Sequence, residues 1–120
     1  MTNPQWLQQL FQSIDGQNVP AFLELLADDV YFRFGNNAPA QGINDTANLV
    51  TGFFESIKGL QHEIRGSWTL DDTTCCHGFV TYTRHDNSTL NVPFANIFKR
   101  NGQGITEYLI FADISQLYTS

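Results

Sequence analysis

The hydropathy of this chain changes period once, near Gly59, and that switch restricts the fold more than any other feature. Beyond it, side chains alternate two by two: His62, Ile64, Gly66 and Trp68 interleave with Glu63, Arg65 and Ser67. A two-residue period marks a half-buried strand. Turn residues then punctuate the sequence at Asp71-Asp72, His85-Asp86-Asn87-Ser88 and Asn101-Gly102-Gln103-Gly104. Between them, strands are expected over 73–84, over 89–100 with a bulge or bend near Pro93, and over 105–117. Tight turns between consecutive strands force antiparallel pairing.

Before Gly59 the period is mostly helical. Asn3-Pro4 reads as a cap followed by proline in the first turn, and Trp6, Leu7, Leu10, Phe11 and Ile14 form one stripe that Gly16 ends. Asn18 caps a second helix with Pro20 in its first turn and an apolar face of Phe22, Leu23 and Leu26. Val30-Tyr31-Phe32-Arg33-Phe34 is a short strand, and turn residues make 35–42 a loop. Asn44 or Asp45 caps a third helix carrying Ile43, Ala47, Val50, Phe54 and Ile57. The expectation is one α+β domain over 1–120, with three N-terminal helices covering the apolar face of an antiparallel sheet. If the sheet curls around the third helix, the space between them is a cavity suited to a ligand.

Composition narrows the partners. Hydrophobic residues make up 42%, with ten Phe and two Trp, so most of the aromatic wealth is core. The net charge of −6 disfavours nucleic acid and anionic membrane surfaces, because nothing could neutralise phosphates. No basic segment followed by an apolar run opens the chain, and no stretch approaches membrane-spanning length. The cysteines are neighbours, Cys75-Cys76, and adjacent strand residues point to opposite faces, so reduced thiols and a cytoplasmic setting are expected. No spacing of His, Cys, Asp or Glu suits a metal: Cys75-Cys76-His77 is too compact to chelate one zinc from an extended strand. The glycines at 102 and 104 join two strands rather than a strand and a helix, so no phosphate loop and no cofactor is expected.

The order of elements resembles a known superfamily. Leu25-Leu26-Ala27-Asp28-Asp29-Val30-Tyr31-Phe32, a loop ending in Gly42 and a further helix are similar to the opening of ketosteroid-isomerase-like and SnoaL-like proteins. Asn96-Ile97-Phe98-Lys99-Arg100-Asn101-Gly102, Ile105-Thr106-Glu107-Tyr108 and Phe111-Ala112-Asp113-Ile114 are similar to their ending. The resemblance, to the SnoaL-like branch of the nuclear-transport-factor-2-like (NTF2-like) superfamily, implies a cystatin-like cone with a strongly curved antiparallel sheet. That cone hosts isomerases, cyclases, hydratases, epoxide hydrolases and non-enzymatic binders. Aligned on the isomerases, their general-base aspartate falls on Phe34, their tyrosine on Leu10 and their late aspartate on Asn96. Phenylalanine accepts no proton, so that mechanism is excluded. Nor do Arg33, Arg65, Arg84 and Arg100 sit in a recognisable Asp-Arg-Asp motif of the epoxide hydrolases.

The cyclases look to an acid in the last strand, which the resemblance places at Asp113. An inward Asp113 and Asn96 carry Leu109 and Phe111 with them, and the alignment adds Phe79, Thr81, Thr83, Phe32, Phe34, His62, Ile64 and Trp68. Asp113 among apolar neighbours reads as a poised proton-transfer carboxyl or as a structural aspartate bound to a turn or an arginine. His62 reads as its proton-transfer partner or as a histidine lining the core. The expected function is a pocket for a small apolar or mixed-polarity molecule, with lyase, isomerase or cyclase chemistry through Asp113 with Asn96 or His62. The alternative is a non-catalytic ligand binder or accessory subunit. In either case the outward face of the long strands is expected to carry Val80 and Tyr82, with Ile97 if Asn96 faces inward, and to support a homodimer through the sheet.

Overall fold

The computed structural model describes residues 3–118. In chain order the elements are α1 (Gln5–Asp15), α2 (Val19–Leu23), β1 (Leu26–Phe34), β2 (Ala40–Gln41), α3 (Ile43–Glu55), β3 (Gly59–Leu70), β4 (Thr73–Thr83), β5 (Thr89–Asn101) and β6 (Gly104–Ala112). Helix α1 buries Leu7, Leu10, Phe11 and Ile14, a three-and-four spacing that puts all four on one face. Each such side chain contributes about 1.5–3 kcal/mol by leaving water. Asn18 caps α2 through its Oδ1, which accepts from the Ala21 N–H at 3.2 Å. Helix α3 starts earlier than Asn44 or Asp45 would set it. Its N-cap is Gly42, whose φ of 85° is a conformation that favours glycine, and no side chain caps it.

The six strands form one sheet in the order β2-β1-β6-β5-β4-β3. Strands β3 to β6 pair antiparallel, as their tight turns require. Strand β1 pairs parallel with β6, so the sheet is mixed rather than wholly antiparallel. The reason is connectivity: β1 reaches β3 through α3, and no hairpin fixes its direction. Part of the expected 35–42 loop is the short strand β2, antiparallel to β1. Pro93 inserts no bulge: the β4–β5 register runs unbroken through Phe79 and Pro93. Pairing with β6 begins one residue later, at Phe94, where a missing N–H costs nothing.

Two bulges set which side chains face inward. In β3, Ile64 pairs with Gly78 but Gly66 pairs with His77, so Arg65 is the extra residue. A Cβ on Gly78 would stand 1.9 Å from the Glu63 carbonyl oxygen, so the bulge needs glycine opposite. In β6, Gly104 pairs with Asn101 and Ile105 with Arg100, but Glu107 pairs with Lys99, leaving Thr106 extra. A one-residue slip sends every later side chain to the other face. The last strand also stops at Ala112, short of the expected residue 117. The chain then turns back, and Arg84 pins it by donating to the carbonyls of Leu117 (2.8 Å) and Gln116 (2.9 Å).

Candidate active site

Residues from α1, α2, α3 and five strands converge on one apolar cavity, so the sheet wraps it with α3 as the opposing wall. Its volume, taken as space open to the centre of a water-sized sphere, is about 50 Å³. Phe32 and Phe34 reach it from β1, Val50, Phe53 and Phe54 from α3, and Tyr108, Ile110 and Ala112 from β6. Four polar side chains share that wall: His62, Tyr82, Asn96 and Tyr108.

His62 is held by a residue that sequence reasoning did not single out. Asp15 is the last residue of α1, where a negative charge opposes the helix dipole and calls for a donor. The donor is His62, twice over. Its backbone N–H donates to Asp15 Oδ2 at 2.9 Å, and its Nδ1 lies 2.6 Å from Asp15 Oδ1. Phe11 and Phe94 flank the ring at 4.7 and 5.1 Å between centroids. The imidazole is therefore fixed in orientation, with Nδ1–H given to the carboxylate. Nε2 has no hydrogen-bond partner among the described residues and is the nitrogen left to act on a ligand. The sequence signal for Asp15 was an acid at the wrong end of a helix with no basic residue in that turn.

Asn96, on β5, is 2% exposed, and its Oδ1 is the one buried side-chain polar atom without a partner among the described residues. Its side-chain and backbone N–H groups face the sulfur of Cys76, across the strand pair. Burial nevertheless pushes the Cys76 thiol up to about 12, with Cys75 adding to the effect. Burial likewise raises Tyr82, with Tyr118 adding to it, and raises Tyr108 well above the ordinary phenol range, with Cys76, Tyr82 and Asp15 contributing. Both hydroxyls stay protonated at neutral pH. Among the described residues no cluster of three or more His, Cys, Asp or Glu could hold a metal, and no helix is long and apolar enough to cross a membrane.

Of the expected inward residues, Phe32, Phe34, His62 and Asn96 line the cavity. Leu109, Phe111 and Asp113 do not, because the Thr106 bulge brings Ile110, not Leu109, opposite Asn96. Phe111 is 51% exposed. Asp113 lies beyond β6 on the surface, where its Oδ1 accepts from the Ser115 N–H at 2.9 Å. Hydrogen bonds from Ser115 hold its carboxyl below the usual range, so it is ionised and turn-bound rather than poised in the pocket. Trp68 turns outward, 55% exposed, because the Arg65 bulge reverses β3 after Ile64. Phe79, Thr81 and Thr83 also face outward. Hairpin register sets Cys76 against Asn96 and Val80 against Val92, so Cys76, Val80 and Tyr82 are the inward, buried set. Val80 and Tyr82 therefore cannot belong to an outer contact face.

The fold matches solved structures along nearly its whole length. A ketosteroid-isomerase-like-fold protein of Catenulispora acidiphila, solved in complex with trimethylamine, superposes with TM-score 0.86 at 17% identity, covering 95% of this chain and 89% of that one. A protein of Jannaschia sp. CCS1 described as a SnoaL-like polyketide cyclase gives 0.82 at 16%, covering 96% and 88%. TerC, co-crystallised with polyporic acid, gives 0.82 at 12%, covering 95% and 93%. At such identities the likeness is one of fold. No curated protein sequence matches the chain. The sequence profile of the SnoaL-like domain matches residues 7–108, most of the chain, and the protein belongs to that family.

Proposed function

We propose that the cone binds a small, largely apolar molecule and that His62, oriented by Asp15, moves a proton on it. The observation that carries this reading is the double engagement of His62 by Asp15 at the wall of an apolar cavity. A carboxylate that accepts Nδ1–H fixes the tautomer and leaves Nε2 as the base, then stabilises the imidazolium once Nε2 takes the proton. The electron pair left on the substrate needs hydrogen-bond donors, and Tyr82 and Tyr108, whose hydroxyls are protonated at neutral pH, line the same cavity. Such a set suits isomerase, lyase or cyclase steps that begin with loss of a C–H proton. Asn96 positions the ligand. The fold supports the small-molecule part of the reading, since relatives were solved with trimethylamine and polyporic acid. We also propose a homodimer through the outer sheet face, where Trp68 and Phe111 are more than half exposed.

The test uses solvent exchange. Aminoacetone and acetone are incubated in D2O with the protein, and deuterium uptake at the α-carbon is followed by NMR. Wild type should exceed His62→Gln and Asp15→Asn by about 10²-fold, the usual contribution of a positioned base. Equal rates in wild type and His62→Gln would sink the proton-transfer reading.

A further inference from the structure

We propose that residues 113–118 form a strap across the mouth of the cavity, latched by Arg84, and that ligand enters and leaves when the latch opens. This rests on the pocket reading above and adds how the same site is gated. The register gives the cone one filled end and one end for traffic. Strands β1 and β6 finish side by side, with Phe34 paired to Ile110. Strand β4 ends toward the same side, where Thr83 pairs with Thr89 at the start of β5. Strand β6 stops short of that hairpin, its last pair being Ala112 with Phe94, and the strap takes over from there. Phe34, Phe53, Tyr82 and Ala112 bring the cavity wall to this end. At the opposite end Leu26, Phe98 and Ile105 are buried, and none of them lines the cavity.

Side chains, not a strand ladder, hold the strap down. Leu117 is 1% exposed, whereas Ser115, Gln116 and Tyr118 around it are exposed. Arg84, at the end of β4, grips the strap's backbone through Nε to the Leu117 carbonyl and Nη2 to the Gln116 carbonyl. Its Nη1 donates to Ser88 Oγ at 3.1 Å and to the Thr89 carbonyl at 3.3 Å, so one guanidinium joins the strap to the β4–β5 hairpin. Ser56, the cap residue of α3, gives its hydroxyl hydrogen to the Phe53 carbonyl at 2.6 Å. The Tyr118 hydroxyl therefore donates to Ser56 Oγ, at 2.8 Å. That bond ties the strap to α3 beside Phe53, a residue of the cavity wall. The Tyr118 phenol also adds to the upward push on Tyr82, so the strap lies within electrostatic reach of the wall. A segment held by a few side-chain anchors opens more readily than the strands around it. Neither Arg84 nor Tyr118 lines the cavity, so loosening either one leaves the wall in place.

Fluorobenzene is the probe, and fluorine NMR exchange measurements give its entry rate, exit rate and affinity. Arg84→Lys keeps the charge but cannot bridge two carbonyls. A lost bond to a charged donor shifts the opening equilibrium by about tenfold or more. Entry and exit should therefore both rise about tenfold with the affinity unchanged, and exchange of the Leu117 amide hydrogen should rise by the same factor. Tyr118→Phe removes one neutral bond and should raise both rates by about threefold; it decides alone if Arg84→Lys does not fold. Equal rates in wild type and variants overturn the gate and leave the pocket reading standing. A faster exit with weaker affinity and unchanged entry also overturns it, because Arg84 would then support the wall. If fluorobenzene binds neither wild type nor variant, the pocket reading falls and the gate with it.

Discussion

Replacing Asn96 with leucine should make the protein more stable and less functional. Asn96 Oδ1 is buried without a partner, and an unsatisfied buried polar atom costs about 1–3 kcal/mol. Leucine has nearly the same shape, and its extra apolar surface adds about 1 kcal/mol against the surrounding Phe and Val side chains. The amide's hydrogen bond toward the Cys76 sulfur is lost, and a bond to sulfur offsets well under 1 kcal/mol. The net is about 2 kcal/mol of stabilisation. For a chain of 120 residues that is an upward shift in Tm of roughly 6–12 °C. Differential scanning calorimetry, backed by urea unfolding at constant slope, reads it. A Tm that is unchanged or lower in a correctly folded Asn96→Leu variant would mean the amide is a structural group with its partners in place. The reasoning from an orphaned acceptor to a ligand site would then fail. A residue that lowers stability while facing a cavity is what function leaves behind.

Four further outcomes follow from the same geometry. Gly78→Ala should lose several kcal/mol or fail to fold, since its Cβ would lie 1.9 Å from backbone; retention of wild-type stability in urea would show that the Arg65 bulge is dispensable. Cys76 has a folded pKa of about 12 against 9.0 for a free thiol, so its contribution to stability is complete below pH 9 and falls as pH rises toward 12. Cys76→Ala should flatten that alkaline slope, and native protein should give at most one fast-reacting thiol where the denatured chain gives both. Asp113 has a folded pKa below its unfolded one, so its contribution is present above the unfolded value and lost as pH falls through the folded one. Asp113→Ala should therefore destabilise at neutral pH but not in strong acid, with ligand binding at the cavity unchanged. Light scattering at micromolar concentration should return a dimer mass that Trp68→Lys with Phe111→Lys reduces to a monomer; a monomer in wild type contradicts the proposed outer-face contact.

Element type was legible in the sequence, because it rests on local period and turn chemistry. The Leu7-Leu10-Phe11-Ile14 stripe, the Asn18 cap and the hairpins around residues 85–88 and 101–104 all appear where those signals place them. Parity was harder. In β4 the signal existed, since Cys76, Val80 and Tyr82 are more apolar than His77, Thr81 and Thr83, and the register with β5 confirms them as the inward set. In β6 it did not. Leu109 and Phe111 are as apolar as Tyr108 and Ile110, and only the extra residue at Thr106 decides between them. Trp68 was lost the same way, to the bulge at Arg65. The candidate site shifts accordingly. His62 and Asn96 remain, Asp113 leaves, and Asp15 enters from a distance of 47 residues in sequence, a pairing no local pattern encodes.

The central claim is that Asp15 fixes His62 so that Nε2 faces a ligand. Long-range ¹H–¹⁵N NMR of His62, at a pH where the ring is neutral, tests it most directly. The account predicts a proton on Nδ1, a bare Nε2, and a shift of the Nε2 resonance when acetone is added, with the Nδ1 resonance nearly still. A ring carrying its proton on Nε2, or an Nε2 resonance indifferent to every cavity ligand, would contradict it.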